Sequence, residues 1–265
     1  MEVNGYEIGP DADLRHSNLY RANLSGVDLS RANLSGANLH DANLSGAKLV
    51  GASLRGARLY RADLSEADLS EASLDEARLA GANFNNATLK SADLSNVDLT
   101  GVNLSNSVLV GAFMRRAKLR GTSLDNANLA KAVLVEADLE GASLIGANLR
   151  DANLQGASFL EANLYEANLV GAKLVDASLR RANLNRVYLD GVRLEGTDLA
   201  MAVLSDALIV GTDFTGSNLL GTSFFFPPAN ADEATKWPDG FDPESAGVAI
   251  WPVENDPVPH DEEPF

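Results

Sequence analysis

Ala32-Asn33-Leu34-Ser35-Gly36 and, six such blocks on, Ala62-Asp63-Leu64-Ser65-Glu66 are two readings of one five-residue phrase. It runs without a slip from Leu14 to Phe224, through 43 consecutive leucine slots. Leu fills 37 of them, and Phe84, Met114, Phe159, Ile209, Phe214 and Phe224 fill the rest. Two residues before each slot stands a small residue, Ala in 31 cases and Ser, Thr or Val otherwise. Such a repeat settles the architecture before any other question.

A period of five fits neither common element. On a helix, leucines five apart advance by about 140° net and spiral around the axis. On a flat strand, an odd spacing sends alternate leucines to opposite faces. The backbone must therefore turn once per five residues to return each leucine inward. Short extended sides joined by tight corners, wound into a coil, meet that need. Successive coils then pair through their backbones at about 4.8 Å.

Glycine and proline agree. All 18 glycines between residues 11 and 225 fall two places after a leucine. That is where a corner needing positive φ belongs, and Asn tolerates the same geometry. Pro is absent from 11 to 226, while Pro10 and Pro227–Pro228 flank the repeat. A stacked coil needs the amide donors that Pro lacks.

With 43 tandem five-residue blocks built on the pattern A(D/N)LXX, the chain resembles the pentapeptide-repeat family over about residues 11–225. The resemblance implies an all-β fold, a right-handed quadrilateral parallel β-helix (solenoid) with four pentapeptides per coil. Leucine and the small residue point inward and the other three positions outward. At that count the repeat makes about eleven coils and a rod about 50 Å long.

Three segments follow. Residues 1–13 are a lead-in covering the first coil, 14–225 are the β-helix, and 226–265 are a Pro-rich acidic tail. The tail holds eight of nine prolines and both tryptophans. Trp237, Phe241, Ile250 and Trp251 are apolar and want burial, so they are the expected anchors of a cap that folds back over the last coils. The rival is a flexible tail whose aromatic residues bind a partner. Residues 254–265 have the composition of disorder.

The net charge of −16 is unevenly spread. The tail carries −9, residues 11–120 carry +1 and residues 121–225 carry −6. There is no cysteine, no charged-then-apolar leader and no long apolar run, so a reducing, cytoplasmic setting without a membrane is expected.

Chemistry finds little purchase. His16, His40 and His260 do not converge, so no metal site is expected. The serines occupy repeat slots, the glycines are corners rather than phosphate cradles, and flat faces offer no cleft to shift a carboxylate. No catalytic residue and no cofactor are expected. Arg115, Arg116, Lys118 and Arg120 read as a solvated cluster on an acidic protein, so direct nucleic-acid binding is not expected either.

The outward columns carry more information. With twenty residues per coil, His40 stands above Tyr20 and His16 below Gly36. One face gathers Val50, Val108, Val110, Val170, Tyr188, Leu208 and Val210, a candidate interaction or tail-docking face. A second carries Tyr20, Tyr60, Leu160 and Leu220. β-Branched residues also simply suit a sheet surface. The leading expectation is a non-catalytic rigid scaffold for another protein. The alternative, implied by the resemblance, is a DNA mimic that binds a type II topoisomerase (DNA gyrase) and protects it from quinolones. Against it stand the arginines of the first half and the absence of any loop breaking the register. Related rods associate end to end through their C-terminal coils, so a homodimer is a further expectation, which the tail would block.

Overall fold

The computed structural model describes residues 1–224 and 229–251, with the side chain of Trp251 excepted. Each five-residue side pairs in parallel with the side 20 residues on. The register runs unbroken from Asp13 with Asn33 to Val203 with Ser223. The chain is thus a β-helix solenoid whose coil holds four pentapeptides. Each side contributes only an isolated bridge before the next corner, so the repeat contains no extended strand.

The motif follows from where its five amides go. The leucine amide donates to the coil above, as Leu34 does to the Ser53 carbonyl at 2.7 Å. The amide before it donates to the coil below, as Asn33 does to Ala12 at 2.9 Å. The corner amide also reaches upward, Gly36 to Arg55 at 2.8 Å. The next small residue closes the turn, Ala37 to the Leu34 carbonyl at 3.0 Å. The remaining amide, that of Ser35, donates to the Asn33 side-chain oxygen at 3.1 Å. Asn and Asp recur before the leucine because their carbonyl or carboxylate oxygen satisfies this last donor. The same bond recurs from Asp63 to Ser65 and from Asp98 to Thr100.

Every corner residue from Asp11 to Gly221 has positive φ, whether glycine or not. This is the requirement of a type II turn at its third residue. Asn, Asp, Glu, Arg and even Met201 accept it, and no β-branched residue stands at any corner.

The leucines and their small partners form one column from Leu14 to Phe224, buried along most of its length, with Ala12, Val27 and Leu219 only partly covered. Where the small slot holds Thr, the hydroxyl donates to a carbonyl 23 residues back: Thr122 to Leu99, Thr197 to Leu174, Thr212 to Leu189. Where the slot holds Ser, Ser107 and Ser217 donate to the carbonyl three residues back, whereas the buried hydroxyl of Ser17 has no partner.

Both ends of the column are covered. Residues 1–8 form a hairpin of β1 (Glu2–Val3) and β2 (Tyr6–Glu7). It buries Ile8, packs Val3 and Tyr6 on the core, and accepts the open amide of Asn18 on the Tyr6 hydroxyl. At the other end the tail imitates a coil. β3 (Asn230–Asp232) continues the ladder of Leu208, and Lys236 continues that of Asp213. Ala229 and Thr235 thereby take the small slot, and Ala231 and Trp237 the leucine slot. Thr235 donates to the Ile209 carbonyl just as the repeat threonines do. β4 (Ala249–Trp251) adds a further parallel rung beside β3.

Candidate interaction faces

The expected tail anchors divide. The Trp237 ring lies parallel to Phe214 at 4.9 Å, Phe241 stacks on Trp237 at 5.1 Å, and Phe224 meets both edge-on. Ile250 is 42% exposed, so its place is held by main-chain pairing with Ala231 rather than by burial. Trp251 pairs through its backbone with Asp232, and its side chain is outside the described residues. Residues 254–265 lie outside them as well.

The tail stacks on the end of the coil instead of folding back across its outward side chains. The reason is that the last coil's amides need partners: Ile209 and Phe214 donate to Asn230 and Lys236 at 2.9 and 2.8 Å. The Gly211 amide donates to the Asp232 carboxylate at 2.8 Å. Partial burial pushes the Asp232 carboxyl up, but the donors of Gly211, Thr235 and Ala234 outweigh it and hold it below the ordinary carboxylate value.

The apolar face also divides. Tyr188 and Leu208 stand on successive rungs, with Asn230 next. Val170 and Val210 belong to the parallel column across the leucines. Tyr188 and Val210 remain exposed, at 39% and 40%. Val108 and Val110 flank Leu109 three coils nearer the N terminus, apart from that group. Leu208 replaces the usual Asn or Asp, and the acceptor for the Val210 amide comes instead from Asp190, one coil below, at 3.1 Å.

Charges pair mostly between coils. Arg31 meets Asp11 at 2.7 Å, Arg61 meets Asp41 at 2.7 Å, and Arg116 meets Glu136 at 2.6 Å. Arg55 reaches both Asp75 and Glu76. The cluster expected to be a solvated basic face is thereby largely neutralised: Lys118 faces Asp98 and Arg120 faces Asp138 and Glu140. Hydrogen bonding from Arg15 brings the Asp13 carboxyl down to about 2.

The second face is organised by the twenty-residue register that aligns its rings. Tyr20 and His40 stack at 5.5 Å, and Tyr60 meets His40 edge-on at 6.0 Å. These rings line a shallow groove of about 400 Å³ with Asn18, Asn38 and Arg58. A second shallow groove of about 440 Å³ includes Lys173, Val175 and Arg193. Among the described residues no group of three His, Cys, Asp or Glu is placed to hold a metal ion. Nor is any helix there long and apolar enough to cross a membrane.

A coil of four five-residue sides, a leucine column and positive-φ corners define a class of solenoid proteins whose outward positions are all surface. The chain belongs to the pentapeptide-repeat family. The family's model of pentapeptide repeats matches in overlapping copies from 11–46 to 162–200. Among solved structures it is similar to HetL, a pentapeptide repeat protein involved in heterocyst differentiation regulation in the cyanobacterium Nostoc sp. strain PCC 7120. The two share 32% identity over 80% of this chain and 90% of HetL, with a TM-score of 0.50. Another Nostoc PCC 7120 pentapeptide repeat protein matches at 30% identity, covering 64% of this chain and 84% of its own, with a TM-score of 0.26. QnrB1, a plasmid-mediated fluoroquinolone resistance protein, matches at 20% identity over 69% and 87%, with a TM-score of 0.38. No curated protein sequence matches the chain.

Proposed function

We propose that the chain is a non-catalytic, rigid scaffold, a right-handed rod of about eleven coils that binds another protein in the cytoplasm. The observation carrying this reading is the unbroken twenty-residue ladder, which fixes outward side chains in straight columns. Such columns present a rigid surface at little ordering cost on binding. The grooves are shallow, as suits a macromolecular partner better than an enclosed small substrate. The likeness to HetL, a protein of regulation, agrees with a role exercised by binding. The DNA-mimic alternative has less support, because Arg58 and Arg78 stay exposed and would meet a surface built for phosphate.

Affinity capture with the full chain from its own cell, run beside a Tyr188→Ser/Leu208→Ser variant and a variant of the Tyr60 face, tests the scaffold. A protein retained by the native chain and lost on one of these variants supports it. Retention of nothing beyond a bare matrix overturns it. A gyrase supercoiling assay at micromolar protein, with and without a fluoroquinolone, decides the alternative.

A further inference from the structure

We propose that the groove along Tyr20, His40 and Tyr60 is the docking site for a short acidic segment of a partner protein, clamped by Arg58 and Arg78. The proposal rests on the scaffold reading and names the face and the chemistry of the partner.

Arg58 and Arg78 occupy the same outward column on successive coils, paired in the ladder. Their backbones therefore lie at the coil spacing of about 4.8 Å, and both cationic side chains leave the same column. Like charges directly opposite one another destabilise a sheet. Many bases of the rod instead have an acid one coil away, as with Arg31 and Asp11 or Arg181 and Glu161, and Lys173 with Arg193 is the other basic pair on successive coils. Arg58 and Arg78 are both exposed and form no ion pair among the described residues. The nearby acids are engaged elsewhere. Asp41 holds Arg61 and Arg21, while Asp98, one coil beyond Arg78, accepts from the Thr100 amide and faces Lys118 at 4.0 Å. Two arginines on one column that form no ion pair suit carboxylates supplied from outside.

The rings decide between kinds of anion. Tyr20 is covered on one side by His40 and capped by the Arg21 guanidinium at 5.0 Å from its centroid. His40 lies between two tyrosines. Tyr20 and His40 thus turn their edges, not their faces, to solvent, and offer no platform on which bases would stack. The His40 Nδ1 lies 3.1 Å from the Tyr60 carbonyl, which only accepts, so Nδ1 carries the proton and the ring is fixed. A wall of ring edges, amides and hydroxyls beside arginines is the composition of a protein-binding hot spot. From Asn18 to Arg78 the site crosses three coil spacings, about 14 Å, which an extended peptide spans in four or five residues.

The test pans a random heptapeptide phage library against the full chain and against an Arg58→Ser/Arg78→Ser variant. The expected result is enrichment of Asp- and Glu-rich heptapeptides on the native chain only. A labelled member should bind at least about tenfold more weakly to the double variant, and progressively more weakly as salt screens the clamp. Arg180→Ser, an exposed arginine six coils above Tyr60 on the same face, should leave binding unchanged. Both variants should melt no lower than the native chain, since removing like charges from one column relieves repulsion, so loss of binding cannot be ascribed to unfolding. Acidic peptides that bind the double variant equally, or enrichment without acidic residues, overturn the proposal. So does a dT hexamer that displaces the peptide, which would assign the groove to nucleic acid. Should any of these occur while a protein is still captured, the groove falls and the scaffold stands. No enriched peptide and no captured protein together remove both.

Discussion

The repeat and the tail solve one problem with different sequences. In the rod each ladder step is 20 residues, and the leucine slot is filled every five. In the tail the steps along one face are 22, from Leu208 to Asn230, and then 19, from Asn230 to Ala249. Six residues rather than five separate Asn230 from Lys236. The tail has no A(D/N)LXX phrase, yet it supplies small residues, a threonine hydroxyl and a large apolar ring at the positions a coil requires. The difference teaches that the ladder's open donors and the exposed end of the core set the demand, and that the motif is one way among others to meet it.

Cutting the core in each region separates the two most sharply. Leu119 is fully buried in mid-rod, and Leu119→Ala should cost about 2–5 kcal/mol in chemical denaturation. Because each coil touches only its neighbours, the loss should lower protection of amides on both sides of it. Trp237 is only half-buried, so Trp237→Ala should cost less, about 2 kcal/mol. Its effect should stay local: hydrogen exchange at Ile209 and Phe214 should quicken while that at Leu119 holds. Equal loss of protection at both sites would show that cap and rod unfold as one unit.

Acid should loosen the corner where the cap meets the last coil. Asp232 has a folded value held below its ordinary one, so its contribution is present in full above the unfolded carboxylate value and disappears as pH falls through the folded one. The Gly211 amide, which donates to that carboxylate, should then exchange faster than other corner amides. Asp232→Asn should remove the extra acid sensitivity.

A smaller effect separates corners. Glu66 has φ 59°, and Glu66→Gly should stabilise by up to about 1 kcal/mol as left-handed strain is relieved against the entropy of a freer unfolded chain. Gly171→Ala should destabilise, because a Cβ there would lie 2.3 Å from the Asp151 side chain at φ +73°. Thermal midpoints read both. The smallest effect belongs to the first coil, where Ser17→Ala removes an unpartnered hydroxyl and should leave stability unchanged or slightly raised.

The coil, its core and its corners were legible because one residue class at one spacing encodes each of them. The column of Tyr20, His40 and Tyr60 was legible as a column, since the register places His40 over Tyr20. What hid its interest was the coincidence of two arginines that form no ion pair with a column of rings, and which bases find acids depends on side-chain reach that no period records. The tail was readable only as apolar residues seeking burial. Its six-residue step between ladder positions breaks the count that made the rod readable. The exposure of Ile250 could not be foreseen either, since main-chain bonds alone hold it in place.

The twenty-residue ladder has a consequence for how such a chain can lengthen. Five residues are the unit of its sequence, but four such units make one full revolution. Duplicating a single pentapeptide within the rod would keep the core intact and satisfy every amide, yet turn everything beyond it by a quarter of a circle. Arginine would lose its stacked neighbour and Tyr188 its place beside Leu208, according to where the copy fell. Only gains or losses of whole revolutions preserve who stands above whom, so the surface tolerates far fewer changes of length than the fold does.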